Sequence, residues 1–197
     1  MIYRLYEYLI TRGLTVFPRE ICFMLSDADI LSDTGKAEQV LAWTKEFPAI
    51  EKIIFHISTD DPGKIEELLR PASLGEKTKV SVSTPGHDMA YGSGKPEILI
   101  ALGKKGREEI TDAIIKIAKE EIEPDDITED MIEQHLVFQV NPDFVIKTGG
   151  NHLTDFLIWQ SVYSELFFTD INWGSFRKVD YLRALRDYQA RGRRFGT

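Results

Sequence analysis

The sequence predicts one α/β domain with a mostly parallel central sheet flanked by helices, and three observations carry that expectation. Short, unbroken apolar runs recur along the chain, as a strand covered on both faces requires. Helical patterns stand between those runs, which is the signature of βα units in a parallel sheet. The 197 residues are 43% hydrophobic and 28% charged, enough to bury a substantial core and too ordered in pattern for a disordered or fibrous chain.

The elements follow in order. Met1–Arg12 carries Ile2, Leu5 and Leu9 at helical spacing and stops at Gly13. It is read as a helix packed on the core, with a peripheral membrane contact as the alternative. Glu20–Leu25 is a buried strand, Gly35–Phe47 a helix that ends before Pro48, Lys52–Ser58 a strand and Gly63–Arg70 a helix. Lys79–Ser83 and Glu97–Leu102 are strands on either side of a Gly/Ser/Pro-rich loop, Thr84–Lys95. Helices are expected over Arg107–Glu121 and Thr128–His135, the second with Thr128 as its cap. Asp143–Lys147 is a strand, Asp155–Tyr163 a helix, Glu165–Thr169 extended and Val179–Ala190 a final helix. No repeat or linker divides the chain, so residues 1–197 are taken as a single domain.

Composition narrows the function. The single cysteine, Cys22, excludes an internal disulfide and suits a reducing compartment. No apolar run approaches the roughly 18 residues that span a bilayer, and no signal-peptide pattern opens the chain; a soluble, cytoplasmic protein is expected. The formal charge is −8. Residues 177–197 hold seven basic side chains against two acidic ones, so this end is +5 and the rest −13. An acidic body with a basic end fits a localised anion site and argues against nucleic acid as a partner.

Two strand ends are candidates for chemistry, because ligands in such sheets collect at the carboxyl ends of the strands. The first runs Leu25-Ser26-Asp27-Ala28-Asp29. A hydrophobic strand entering Asp-x-Asp resembles a phosphatase of the haloacid dehalogenase kind, with Asp27 as nucleophile and Asp29 as acid/base. The later motifs of that class are missing, and Asp60-Asp61 is the only acidic pair nearby, so that reading is set aside. The second is Lys147-Thr148-Gly149-Gly150, where glycine amides could approach a phosphate and Lys147 could neutralise it. His56, His87, His135 and His152 show no metal-ligand spacing, and no G-x-S-x-G elbow is present. The aromatic group Trp159, Tyr163, Phe167, Phe168, Trp173 and Phe176 suggests core or a subunit contact.

From Pro142 the residues become specific. Pro142–Gly150, Asp155–Gln160, Tyr163–Asp170, Arg183–Tyr188 and Arg193-Arg194-Phe195-Gly196 follow, in order, the C-terminal signature of the cis-prenyltransferases, the undecaprenyl and dehydrodolichyl diphosphate synthases. Pro18-Arg19, Ser58-Thr59 and Gly106-Arg107 are weaker echoes upstream. The chain therefore resembles that family along its length. The resemblance implies addition of isopentenyl diphosphate to an allylic diphosphate, with Mg²⁺ as cofactor and polyprenyl diphosphate, a glycosyl carrier lipid, as product.

The departures are as informative as the matches. Where the family has an M-D-G-N-G-R loop for Mg²⁺ and the allylic diphosphate, this chain has Ser26, Asp27, Ala28, Asp29 and Ile30. A like-charge pair at 4 Å costs about 1 kcal/mol in water and roughly 4 kcal/mol at an effective dielectric near 20. The family's E-N-W becomes Asp60-Asp61-Pro62, its first phosphate arginine becomes Lys147 and its second is absent. Ser58, Lys147 and Thr154 are vestiges of the chain's own site, and Glu165 stands where the family has a metal-associated glutamate. Arg194, Phe195 and Gly196 match the R-x-G motif that, in the family, helps hold isopentenyl diphosphate in the dimer partner's site. The resemblance thus implies a non-catalytic subunit of the Nogo-B receptor type. Its partner is a catalytic homologue, met through Trp159, Tyr163, Phe167, Phe168 and Trp173, and it is a homodimer when alone, with Mg²⁺ bound in the complex and not by this chain by itself. The alternative is a divergent homodimeric cis-prenyltransferase that works alone through Asp27, Glu165 and Lys147.

Overall fold

The computed structural model describes residues 2–103, 106–120, 122–150 and 157–191. Its strands are β1 (Glu20–Ser26), β2 (Lys52–Ser58), β3 (Val80–Ser83), β4 (Asp88–Tyr91), β5 (Glu97–Gly103), β6 (Phe144–Lys147) and β7 (Glu165–Phe168). Its helices are α1 (Ile2–Gly13), α2 (Asp27–Ser32), α3 (Lys36–Thr44), α4 (Pro62–Leu69), α5 (Pro71–Gly75), α6 (Gly106–Ile117), α7 (Glu129–His135) and α8 (Lys178–Arg191). The strands join in one sheet of order β4-β3-β5-β2-β1-β6-β7, parallel throughout except for β4, which pairs antiparallel with β3. The expected mixed α/β domain with a mostly parallel sheet is what forms.

The apolar runs of β1 and β2 are buried on both faces because alternate residues feed different cores. Ile21, Phe23 and Leu25 join Ile53, Phe55, Ile57, Trp173, Phe176 and Tyr181 in the larger cluster. Cys22, Met24 and Ile54 join Phe138, Val140 and Leu157 in the smaller one. The Asp143 carboxylate accepts from the amides of Arg19 (2.8 Å) and Glu20 (2.9 Å), which fixes the start of β1 beside β6. Gln189 of α8 accepts from the amides of Thr15 and Val16 and donates to the Gly13 carbonyl, clamping the end of α1.

Four elements differ from expectation. α2 and α5 are short helices hidden between stronger signals. β4 lies inside the Thr84–Lys95 segment read as loop; three of its four residues are exposed, so it shows no hydrophobic alternation. A Thr84–His87 turn sets up its pairing, with His87 N–H donating to Thr84 Oγ1 at 3.0 Å. Residues 157–163 form successive turns and no helix, and residues 155–156 lie outside the described ones.

Candidate functional site

The carboxyl ends of β5, β2, β1 and β6 stand side by side, which brings Ser26, Ser58 and Lys147 to one edge of the sheet. Ser26 pairs with Ser58 across β1 and β2, and Met24 pairs with Lys147 across β1 and β6. Three polar side-chain atoms at this edge, Asp27 Oδ1, Ser58 Oγ and Thr148 Oγ1, are buried without a hydrogen-bond partner among the described residues. Buried polar groups are rarely left so, and the concentration of three marks the edge as the candidate site. Thr148 was not singled out by sequence; its sole signal there was its place before the glycine pair.

At the end of β1 the residues read as a degenerate ligand loop are the cap of α2. Asp29 Oδ2 accepts from Ser26 N–H (2.9 Å) and Ser26 Oγ (2.7 Å), while Ser26 Oγ accepts from Asp29 N–H at 3.4 Å. This reciprocal capping box turns the strand straight into helix. Asp29 is therefore committed internally, Asp27 occupies the first helical position, and Ala28 is exposed. Ile30, at the position of the family's arginine, is 1% exposed and belongs to the larger core.

Beyond β2, Asp61 is likewise structural: its carboxylate accepts from Lys64 N–H at 3.1 Å and caps α4, with Pro62 at the first helical position. Beyond β6, the glycine pair does not form the anticipated phosphate cradle. Gly149 N–H donates to the Ile171 carbonyl and Gly150 N–H to the Thr169 carbonyl, both at 3.0 Å. Their φ angles of 75° and 112° explain the residue type. These glycines fold the chain back on the end of β7.

Glu165 lies elsewhere. It opens β7 opposite Phe144, which in turn pairs with Ile21, so it sits at the amino-terminal edge of the sheet. At about 3.3 Å per residue, the six residue steps from Ile21 to Asp27 separate it from Asp27 by roughly 20 Å along the strands. Its carboxylate faces Arg191, 3.9 Å away. Oxygen ligands of Mg²⁺ sit at about 2.0–2.1 Å, so Asp27 and Glu165 of one chain cannot share an ion. Among the described residues no group of three or more His, Cys, Asp or Glu side chains could hold a metal. At the β1 edge Asp27 is the carboxylate left out of the capping box, and with two hydroxyls beside it the described residues offer too few donors to hold Mg²⁺ without a diphosphate.

Thr154 and Arg194, Phe195 and Gly196 lie outside the described residues. The aromatic group divides. Trp173 is 1% exposed and packs edge-on against Phe23 (5.4 Å between ring centres) and Phe55 (6.0 Å), so it is core, not subunit contact, because the turn holding it folds under α2. Phe176 is buried with it. Phe167 and Trp159 are half-buried, whereas Tyr163 is 92% exposed and Phe168 is exposed on the edge strand β7. Cys22 is fully buried and its thiol is pushed up to about 12 by desolvation, which removes it as a nucleophile.

A second buried polar group escaped the sequence. Glu109 of α6 accepts from Phe138 N–H (2.9 Å) and Gln160 Nε2 (3.1 Å), and Gln160 also donates to the Phe138 carbonyl. It borders a cavity of about 200 Å³ lined by Pro85, Glu109, Asp112, Lys116, Val137 and Phe138. The network pins the 157–163 turn against α6.

Residues 70–196 match the family model described as "Putative undecaprenyl diphosphate synthase". The chain belongs to the cis-prenyltransferase family. It is 32% identical over 198 residues to isoprenyl transferase 1 of Streptomyces avermitilis, covering 82% of this chain and 77% of that protein. It is 52% identical over 106 residues to the tritrans,polycis-undecaprenyl-diphosphate synthase (geranylgeranyl-diphosphate specific) of Methanocaldococcus jannaschii. That match covers 49% of this chain and 38% of the synthase, so the chain spans well under half of that relative's length. Among solved structures, lavandulyl diphosphate synthase from Lavandula x intermedia superposes with a TM-score of 0.66 at 20% identity, over 89% of this chain and 96% of that one. The structure described as "a probable undecaprenyl diphosphate synthase" from Campylobacter jejuni gives 0.65 at 17%, over 93% and 100%. These two likenesses establish the fold. No helix among the described residues is long and apolar enough to cross a membrane.

Proposed function

We propose that this cis-prenyltransferase-family chain is the non-catalytic subunit of a two-chain synthase of polyprenyl diphosphate, of the Nogo-B receptor type, paired with a catalytic homologue. The capping box at the end of β1 carries this reading. It occupies Ser26 and Asp29 with each other, puts Ile30 in the core, and leaves the stretch from Ser26 to Ile30 with two carboxylates and no cation of its own. In this reading Arg194, Phe195 and Gly196 act in the partner's site on isopentenyl diphosphate, with Mg²⁺ held in the complex. The exposed Tyr163 and Phe168 belong to the contact between chains.

The names of the relatives favour a second reading, a divergent homodimer active by itself, since those relatives are named as isoprenyl transferases and undecaprenyl diphosphate synthases. The buried, unpartnered oxygens of Asp27, Ser58 and Thr148, close to Lys147, are the residues such an activity would use. In that case Asp27, the carboxylate of this stretch left out of the capping box, would meet a Mg²⁺–diphosphate complex.

Incorporation of labelled isopentenyl diphosphate into butanol-extractable product, with Mg²⁺ and an allylic primer, separates the two. The first reading expects product from the co-purified pair and none from this chain alone, with Arg194→Ala lowering the pair's turnover about 100-fold, as loss of one charge-stabilising donor typically does. Turnover by this chain alone that Asp27→Asn abolishes would establish the second.

A further inference from the structure

We infer that the outward face of α1, together with the adjoining arginines of α8, docks on an anionic lipid bilayer. At 3.6 residues per turn, Arg4, Leu5, Tyr8, Leu9 and Arg12 fall on one side of α1. All five are exposed, with Leu5 at 61%, Tyr8 at 55% and Leu9 at 59%. The other side, Tyr6 and Ile10, packs on the core, and α1 lies along α8. The helical spacing of Leu5 and Leu9, read in the sequence as a core-packed face, is thus corrected: both project away from the protein, and α1 meets the core through Tyr6 and Ile10.

Charge completes the assignment. No carboxylate falls on the outward face; Glu7 lies on the half-buried flank. The Arg12 guanidinium covers the Tyr8 ring at 5.6 Å. Across the seam, exposed Arg183 sits over the Tyr6 ring at 5.4 Å. It holds the Tyr6 phenol below its usual range, and exposed Arg186 acts in the same direction. The acidic residues of this part of α8 are already paired, Asp180 with Arg177 and Arg183, and Asp187 with Arg191. Four arginines thus flank two leucines and a tyrosine on a chain whose net charge is −8. Apolar side chains projecting from a helix between arginines match the interfacial helices that sink into anionic headgroups, with tyrosine at the polar boundary. The acidic remainder, repelled by such a surface, sets which way the molecule faces. This inference rests on α1 and α8 alone and is independent of the proposed function.

Co-sedimentation of the full chain with phosphatidylglycerol and phosphatidylcholine vesicles tests it. The expected result is binding to phosphatidylglycerol that weakens at high salt, with phosphatidylcholine bound at least about tenfold less. L5E/L9E should lower binding at least about tenfold, and R4Q/R12Q about fivefold per arginine. All four positions are exposed, so circular dichroism and thermal unfolding should stay at the parent values. No binding to phosphatidylglycerol, equal binding to both lipids, or binding indifferent to L5E/L9E would overturn the inference. So would L5E/L9E converting a dimer to a monomer in a chain that ignores vesicles, which would assign the face to a second copy.

Discussion

At the end of β1 the chain closes on itself: Ser26 and Asp29 satisfy one another, the helix begins at once, and its first buried residue, Ile30, reaches into the core. At the end of β6, one strand away, the chain is held open in shape. Two glycines with positive φ turn it back on the residues after β7, and Thr148 keeps a buried hydroxyl with no partner among the described residues. The two ends differ in what a substitution can change. A capping box is local, so a few side chains convert a ligand loop into a helix start without disturbing the sheet. A turn that depends on left-handed backbone and on carbonyls of another segment cannot be altered one residue at a time. The β6 end therefore keeps its glycine turn, with Lys147 in place of the family's arginine, while the β1 end has become a helix cap.

Four substitutions bear on this contrast, from the largest effect down. Restoring the family's cation at the β1 end by Ile30→Arg should cost about 4 kcal/mol, because it buries an unpaired charge in the larger core. A urea midpoint unchanged from the parent would show that the end of β1 can reopen. Gly149→Ala should cost roughly 1–2 kcal/mol through its φ of 75°, a loss visible in thermal unfolding. Ser26→Ala should cost about 1 kcal/mol, the usual value of an N-cap. Combined with Asp29→Ala it should show a coupling of at least about 0.5 kcal/mol, since the two side chains serve each other. Strict additivity of the pair would mean the box contributes nothing as a unit.

Much of the fold was legible because buried parallel strands write themselves as apolar runs, and β1, β2, β5 and β6 fall where those runs are. β4 was not, since its side chains are exposed on both faces and carry no alternation. At the site, the family pattern singled out Ser26, Ser58 and Lys147, and the topology brings them to one edge. It gave no sign that Glu165 would sit at the opposite edge, because register, not spacing, decides which end of a sheet a residue occupies. Asp-x-Asp at the end of β1 suggested chemistry, although Ser-x-x-Asp is equally a capping pattern; the choice depended on whether Ile30 had a core to enter. Trp173 and Tyr163 are both large aromatics ten residues apart, and only packing separates the buried one from the exposed one. Glu109 left no trace, as a buried glutamate looks in sequence like any exposed one.

The pairing of β1 with β6 also orders events in time. Ile21 must meet Phe144, more than a hundred residues later, and α1 must wait for α8. On the ribosome, β2 can join β1 early and β5 can then add to β2, but the other edge of β1 stays uncovered until β6 has emerged. Contacts of such sequence separation make folding slow and leave a strand edge available to neighbours meanwhile.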